Sequence, residues 1–112
     1  FSYDYLRDVG GKDYIEALCE GFRPFHQDHI DVYGAGNERR LTGSHETASI
    51  DQFSFGASNR GASIRIPLYT TTHDWKGSLE DRRPASDADP YLVVDRIIRT
   101  VKVAHDEALK AV

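Results

Sequence analysis

The sequence predicts an α+β fold. Three observations point there: an amphipathic stretch over residues 12–27, a strand-like alternation at Ile64-Arg65-Ile66, and an apolar helix that opens on Asp89-Pro90. Taken in order, Gly10-Gly11 interrupts the chain before the first helix, whose apolar stripe is Tyr14, Ile15, Leu18, Cys19 and Phe22. Pro24 kinks or shortens that helix, since its ring removes a donor and crowds the preceding turn. Residues 29–33 alternate like a short strand, and Gly34 and Gly36 open a loop over 34–43. A second strand is expected over 63–66, a loop over 69–77 and a further strand around 79–82. Asp89 suits an N-cap with Pro90 at the first helical position, and the helix beyond carries Val94, Ile97, Ile98, Val101 and Leu109. No internal repeat or low-complexity tract interrupts this order.

Composition narrows the class of partner. The net charge of −4 is spread over interspersed acids and bases, which argues against a nucleic-acid surface or a polybasic membrane tether. No apolar run approaches the ~20 residues of a membrane span. The single cysteine, Cys19, lies on the apolar stripe and reads as a buried structural thiol, so a reducing cytoplasmic compartment is expected. His26 and His29 have a spacing that could hold zinc, but no cysteine or further histidine nearby completes a set of four ligands. Trp75 and Tyr69 flank a polar loop and fit nucleotide stacking no better than local packing.

The basic residues are unevenly chosen and unevenly placed. Ten of the fourteen are arginine, and five of those are Arg40, Arg60, Arg65, Arg82 and Arg83. A strand through Ile64-Arg65-Ile66 buries both isoleucines on one face and turns the guanidinium to the other. By the same rule Glu80 and Arg82 share one face while Asp81 and Arg83 take the opposite one. Arginines around a strand-borne carboxylate suit an anion site with a divalent cation beside it, because fixed cations bring a polyphosphate and a substrate carboxylate together. The same spacing also fits arginines merely paired with Glu80 and Asp81 at the surface, and periodicity does not decide between the two.

Several motifs extend the reading over nearly the whole chain. Arg40-Leu41-Thr42-Gly43, His45-Glu46-Thr47-Ala48, Phe53-Ser54-Phe55-Gly56, the run Asn59-Arg60-Gly61-Ala62-Ser63-Ile64-Arg65-Ile66-Pro67 and Glu80-Asp81-Arg82-Arg83-Pro84-Ala85-Ser86 occur in this order. Together they resemble glutamine synthetase, and the type II, eukaryotic-like branch fits best. The resemblance implies a ligase that joins ammonia to L-glutamate with ATP through a γ-glutamyl phosphate, assisted by Mg2+ or Mn2+. It assigns Arg40 and Arg82 to the glutamate carboxylates, Arg60 and Arg65 to the ATP phosphates and the transferring phosphoryl group, and Glu80 to the metal. Glu46 matches the flap glutamate that closes the site and takes a proton from ammonium. The glycine-bounded loop over 34–43, with Glu46 just beyond it, suits a lid that keeps water from the acyl phosphate.

The same resemblance implies that residues 1–112 are a C-terminal portion of the catalytic domain, since such proteins run to roughly three times this length. Phe1-Ser2 resembles the end of a Gly-x-Gly-x-His-x-Asn-Phe-Ser segment, which places the other metal ligands and an N-terminal β-grasp domain upstream. The fold that follows is part of a curved, largely antiparallel sheet, backed by the helices, with the arginines on its concave face. The full-length form is expected to assemble as stacked rings, a decamer in this branch, and the 112 residues alone to be inactive. Two other readings are a non-catalytic binding or assembly module that keeps the anion site, and a relative that ligates glutamate to another amine.

Overall fold

Glycine and proline divide the first third of the chain into short helical pieces. The computed structural model describes residues 1–43 and 49–111. Helix α1 (Asp4–Asp8) ends at Gly10 and Gly11, both at positive φ. Gly10 is also pinned by space, because a Cβ there would lie 2.2 Å from the Trp75 carbonyl oxygen. Helix α2 (Lys12–Glu20) buries Tyr14, Ile15, Leu18 and Cys19 as its stripe predicts. It ends at Gly21, earlier than residue 27, and a 3₁₀ turn over Arg23–Phe25 with Pro24 inside it leads into α3 (His26–Ile30).

The strand expected over 29–33 is not formed. His29 and Ile30 close α3, and residues 31–33 form a turn and bend. The alternation there was coincidental, whereas the four-residue spacing of His29 and Tyr33 lets one hydrogen-bond the other. The loop after Gly34 contains a short helix, α4 (Asn37–Arg40), and the stretch after Pro67 contains another, α5 (Leu68–Thr72), where only a loop was expected.

The sheet has three strands, β1 (Phe55–Ala57), β2 (Ile64–Ile66) and β3 (Glu80–Asp81), in the order β1-β2-β3. It is mixed: β1 runs parallel to β2, and β3 antiparallel to it. The parallel pair is joined by residues 58–63, far shorter than a usual crossover. Ser58, at φ 54°, and the hydrogen bonds from Asn59 N to Gly56 O and from Ala62 N to Asn59 O turn the chain back within that span. Register places Arg65 opposite Glu80 and Ile64 opposite Asp81, so one face carries the Arg65 and Glu80 side chains and the other is buried.

Helix α6 (Pro90–Leu109) begins as read, with the Asp89 carboxylate accepting from Tyr91 N and Pro90 in the first turn. Its docked stripe is made of small residues, Thr100, Ala104 and Ala108, and it lies so close to α2 that a Cβ on Gly21 would stand 2.7 Å from that of Ala104. Val94 and Ile98 are about half exposed. The core joins Leu6, Ile15, Leu18, Phe22, Ile64, Ile66 and Leu79 to this stripe. Trp75 packs against it, while Tyr69 stays at the surface stacked on His73 at 3.7 Å.

Candidate functional site

The alternation of β2 and β3 builds the site in two layers. On the outer face Glu80 lies between two guanidinium groups: Arg65 Nη2 donates to its Oε2 at 2.9 Å and Arg82 Nη1 to its Oε1 at 3.1 Å. Ile64 and Ile66 are buried on the opposite side of β2, as the sequence requires. The Arg65 Nε is buried without a hydrogen-bond partner. A buried donor left unmade costs about 1–3 kcal/mol.

The inner layer is a buried ion pair that spacing alone would have placed at the surface. Arg83 and Asp81 side chains are 1% and 3% exposed and meet through two parallel 2.9 Å hydrogen bonds, Nε to Oδ1 and Nη2 to Oδ2. The Arg83 backbone N–H also donates to Oδ1, and the Tyr33 hydroxyl donates to Oδ2 at 2.7 Å. Burial disfavours the Asp81 anion, but the Arg83 hydrogen bonds and charge outweigh it and hold the carboxyl below its ordinary value. The Arg83 guanidinium lies between the Tyr33 and Phe53 rings, 5.4 and 5.3 Å from their centres.

Proton positions follow from donor counting. Tyr33 gives its hydroxyl proton to Asp81, so His29 Nδ1 must donate to the Tyr33 oxygen at 2.6 Å, and with the ring neutral Nε2 accepts from Thr100 Oγ1 at 2.7 Å. Burial followed by the Arg83 charge keeps His29 neutral, pushing its pKa down to about 3. The pH dependence has a definite sign. From the ordinary value of 6.5 down to about 3 the unfolded chain takes up a proton that folded His29 refuses, so its contribution to stability is complete above 6.5 and falls as pH is lowered through that window. Urea midpoints at pH 7 and pH 5 should differ more in the parent protein than in His29→Gln.

Arg40 joins the two layers. Its Nη2 donates to the carbonyl oxygens of Arg83 at 2.5 Å and of Arg82 and Pro84 at 3.2 Å, and Asn37 one turn earlier donates to the Arg83 carbonyl at 2.9 Å. Burial and the Arg82 charge lower the Arg40 pKa. The structure therefore brings Arg40, Arg65, Glu80 and Arg82 to one end of the sheet. Arg60 stands on the exposed turn between β1 and β2, where Asn59 Oδ1 accepts from Gly61 N. Glu46, with His45, lies outside the described residues. Sequence reasoning missed the partners Tyr33, Asn37, His26 and His29, although their three- and four-residue spacings carried a helical signal.

Among the described residues no three histidine, cysteine, aspartate or glutamate side chains gather as a metal-binding group. His26 and His29 are each committed to protein partners. Both Glu80 carboxylate oxygens are taken up by guanidinium groups in this arrangement. Cys19 is buried, and burial pushes its thiol up to about 12, which suits packing and not reactivity. No helix of the described residues is long and apolar enough to cross a membrane.

Arg65 on β2 and Arg82 just beyond β3 thus share the Glu80 carboxylate, with Arg40 clamped on neighbouring carbonyls, in an α+β chain. By sequence the chain belongs to the glutamine synthetase family. It is 52% identical over 101 residues to a glutamine synthetase of Bradyrhizobium diazoefficiens, a match covering 90% of this chain and 29% of that protein. A Colletotrichum gloeosporioides glutamine synthetase is likewise 52% identical over 90% of the chain and 28% of its own length. The cytosolic isozyme 1-1 of Oryza sativa is 49% identical over 89% of the chain and 28% of its own length. The chain thus spans little more than a quarter of these relatives. No family model matches it.

Proposed function

We propose that this chain is the C-terminal part of a catalytic domain that ligates ammonia to L-glutamate at the expense of ATP, in the type II branch of the family. The observation that carries the reading is the Arg65-Glu80-Arg82 row, with Arg40 beside it, on the solvent-facing side of strands whose other side is core. The side-chain carboxylate of glutamate attacks the terminal phosphorus of ATP and ADP leaves. Ammonia then attacks the acyl carbon, and inorganic phosphate departs with the electron pair of the broken C–O bond.

Arg40 and Arg82 hold the glutamate carboxylates in this scheme, while Arg60 and Arg65 hold the ATP phosphates. Glu80 would offer a carboxylate oxygen to a bound Mg2+ or Mn2+, which would neutralise phosphate charge. Glu46 accepts the proton released from ammonium. The remaining ligands come from the rest of a longer protein, which assembles as stacked rings, decameric in this branch, in the cytoplasm. Names among the relatives include both cytosolic and chloroplastic forms.

Kinetics of the full-length protein test the division of roles. Arg40→Ala is expected mainly to raise the glutamate KM. Arg65→Lys is expected mainly to lower kcat, because lysine keeps the charge and loses the planar fork. An Arg40→Ala protein altered only in ATP affinity, or an Arg65→Lys protein with kcat within about twofold of the parent, overturns the assignment.

A further inference from the structure

We propose that Asn37 is a positioning residue that orients the Arg40 guanidinium while leaving its charge uncompensated for the carboxylate of the incoming amino acid. The inference rests on the function proposed above and adds a residue that touches neither substrate in that scheme, since Asn37 is only 1% exposed. Asn37 opens α4, three residues before Arg40, so the two side chains lie on one face of that turn. Its backbone is held from both sides. The Asn37 carbonyl accepts from Leu41 N at 2.7 Å, and Gly34, at φ 108°, packs so closely on the chain after β3 that a Cβ there would lie 2.5 Å from Asp87 Oδ1 and 2.8 Å from Ala85 Cβ.

Each polar atom of the buried amide faces a group of the opposite kind. The Nδ2 protons go to the Tyr33 carbonyl at 3.1 Å and the Arg83 carbonyl at 2.9 Å, and neither of those oxygens can donate. Oδ1 faces a guanidinium, which can only donate, and accepts from Arg40 Nε at 3.4 Å and Nη2 at 3.3 Å. Reversing the amide would set its oxygen against two carbonyls and its NH2 against a cation. The two Nδ2 hydrogen bonds therefore fix where Oδ1 points, and Oδ1 steers one edge of the Arg40 fork. Both residues meet on the same Arg83 carbonyl, which ties that edge to the end of β3. The other arginines are held differently. Arg65 and Arg82 face Glu80 and Arg83 grips Asp81, whereas the acceptors around Arg40 among the described residues are an amide oxygen and three carbonyls, all neutral. A guanidinium fixed by neutral oxygens keeps its full charge for an incoming anion, and a carboxylate in the place of Oδ1 would cancel it.

Two single variants of the full-length protein, each also combined with Arg40→Ala, test this. Asn37→Asp keeps the shape of the side chain and pairs Arg40 with a carboxylate. Asn37→Ala removes the tether. Each should raise the glutamate KM about fivefold or more, in the direction expected of Arg40→Ala, with the ATP KM within about twofold and kcat at saturating glutamate within about threefold. In the Arg40→Ala background neither change should raise the glutamate KM by more than about twofold further, because a residue that works through Arg40 then has nothing to position. A residue that only stabilised the fold would add its effect to that of Arg40→Ala or move both KM values together. Either result overturns the inference, and so does an unchanged glutamate KM. Failure of both single variants to yield folded protein overturns it as well, by making Asn37 structural alone. A parent protein that forms no glutamine overturns the proposed function too, whereas an active parent with additive variants overturns the positioning role alone.

Discussion

Asp81→Ala is expected to lower stability by about 3–5 kcal/mol, because it leaves the Arg83 guanidinium buried and unpaired. The Arg83 side chain is only 1% exposed. Its remaining contacts, His26 Nδ1 and the faces of Tyr33 and Phe53, do not carry a full negative charge. The Tyr33 hydroxyl loses its acceptor at the same time. Denaturant titration of the full-length protein measures the loss, and a shift under 1 kcal/mol would show that the pair is not closed to solvent. The pH dependence follows from the depressed Asp81 pKa: the contribution of the pair is complete above the ordinary carboxyl value and disappears as pH falls through the folded value below it.

The neighbouring substitution should behave in the opposite way. Glu80→Ala is expected to reduce the rate of glutamine synthesis on the order of 10²-fold or more and to weaken the response to added Mg2+. Its effect on stability should be small, since the Glu80 side chain is 41% exposed and its two ion pairs are partly screened by water. Removing the carboxylate leaves Arg65 and Arg82 facing the same space with no anion between them. A Glu80→Ala protein with parental rate and parental metal dependence would remove Glu80 from the ligand set. Adjacent residues on one strand thus separate into a stability defect and a rate defect because their side chains point to opposite faces.

That separation was legible in the sequence; the identity of the buried face was not. The isoleucines around Arg65 set the orientation of β2, and two-residue alternation carried it to β3, so Glu80 and Arg82 were correctly placed together. Arg83 was another matter, because alternation says that it points away from Arg82 without saying that it points into the core. Its burial depends on Tyr33 and His26, which are 50 and 57 positions away, in a stretch partly misread as a strand. Local alternation over 29–33 lost to the three- and four-residue spacing of His26, His29 and Tyr33, whose partners are Arg83 and Ile50 for His26, Thr100 on α6 for His29 and Asp81 on β3 for Tyr33. Strand β1 was legible only as a motif: Gly56 lies at its centre, and its pairing comes wholly from β2. The N-cap of α6 was plain because Asp89 and Pro90 act within a single turn.

The close contact of α6 with α2 also fixes an order of events during synthesis. Strands β2 and β3, with Arg65, Glu80, Asp81 and Arg83, leave the ribosome before α6, the last element described. Until α6 settles against Gly21, Thr100 cannot supply its proton to His29, and the side of the network nearest that histidine stays open to water. Water between the charges weakens their attraction several-fold relative to a closed interior. The nascent chain therefore carries Arg65, Glu80, Asp81 and Arg83 before the α6 residues that enclose His29 have been made, and the approach of Ala104 to Gly21 brings Thr100 to that histidine.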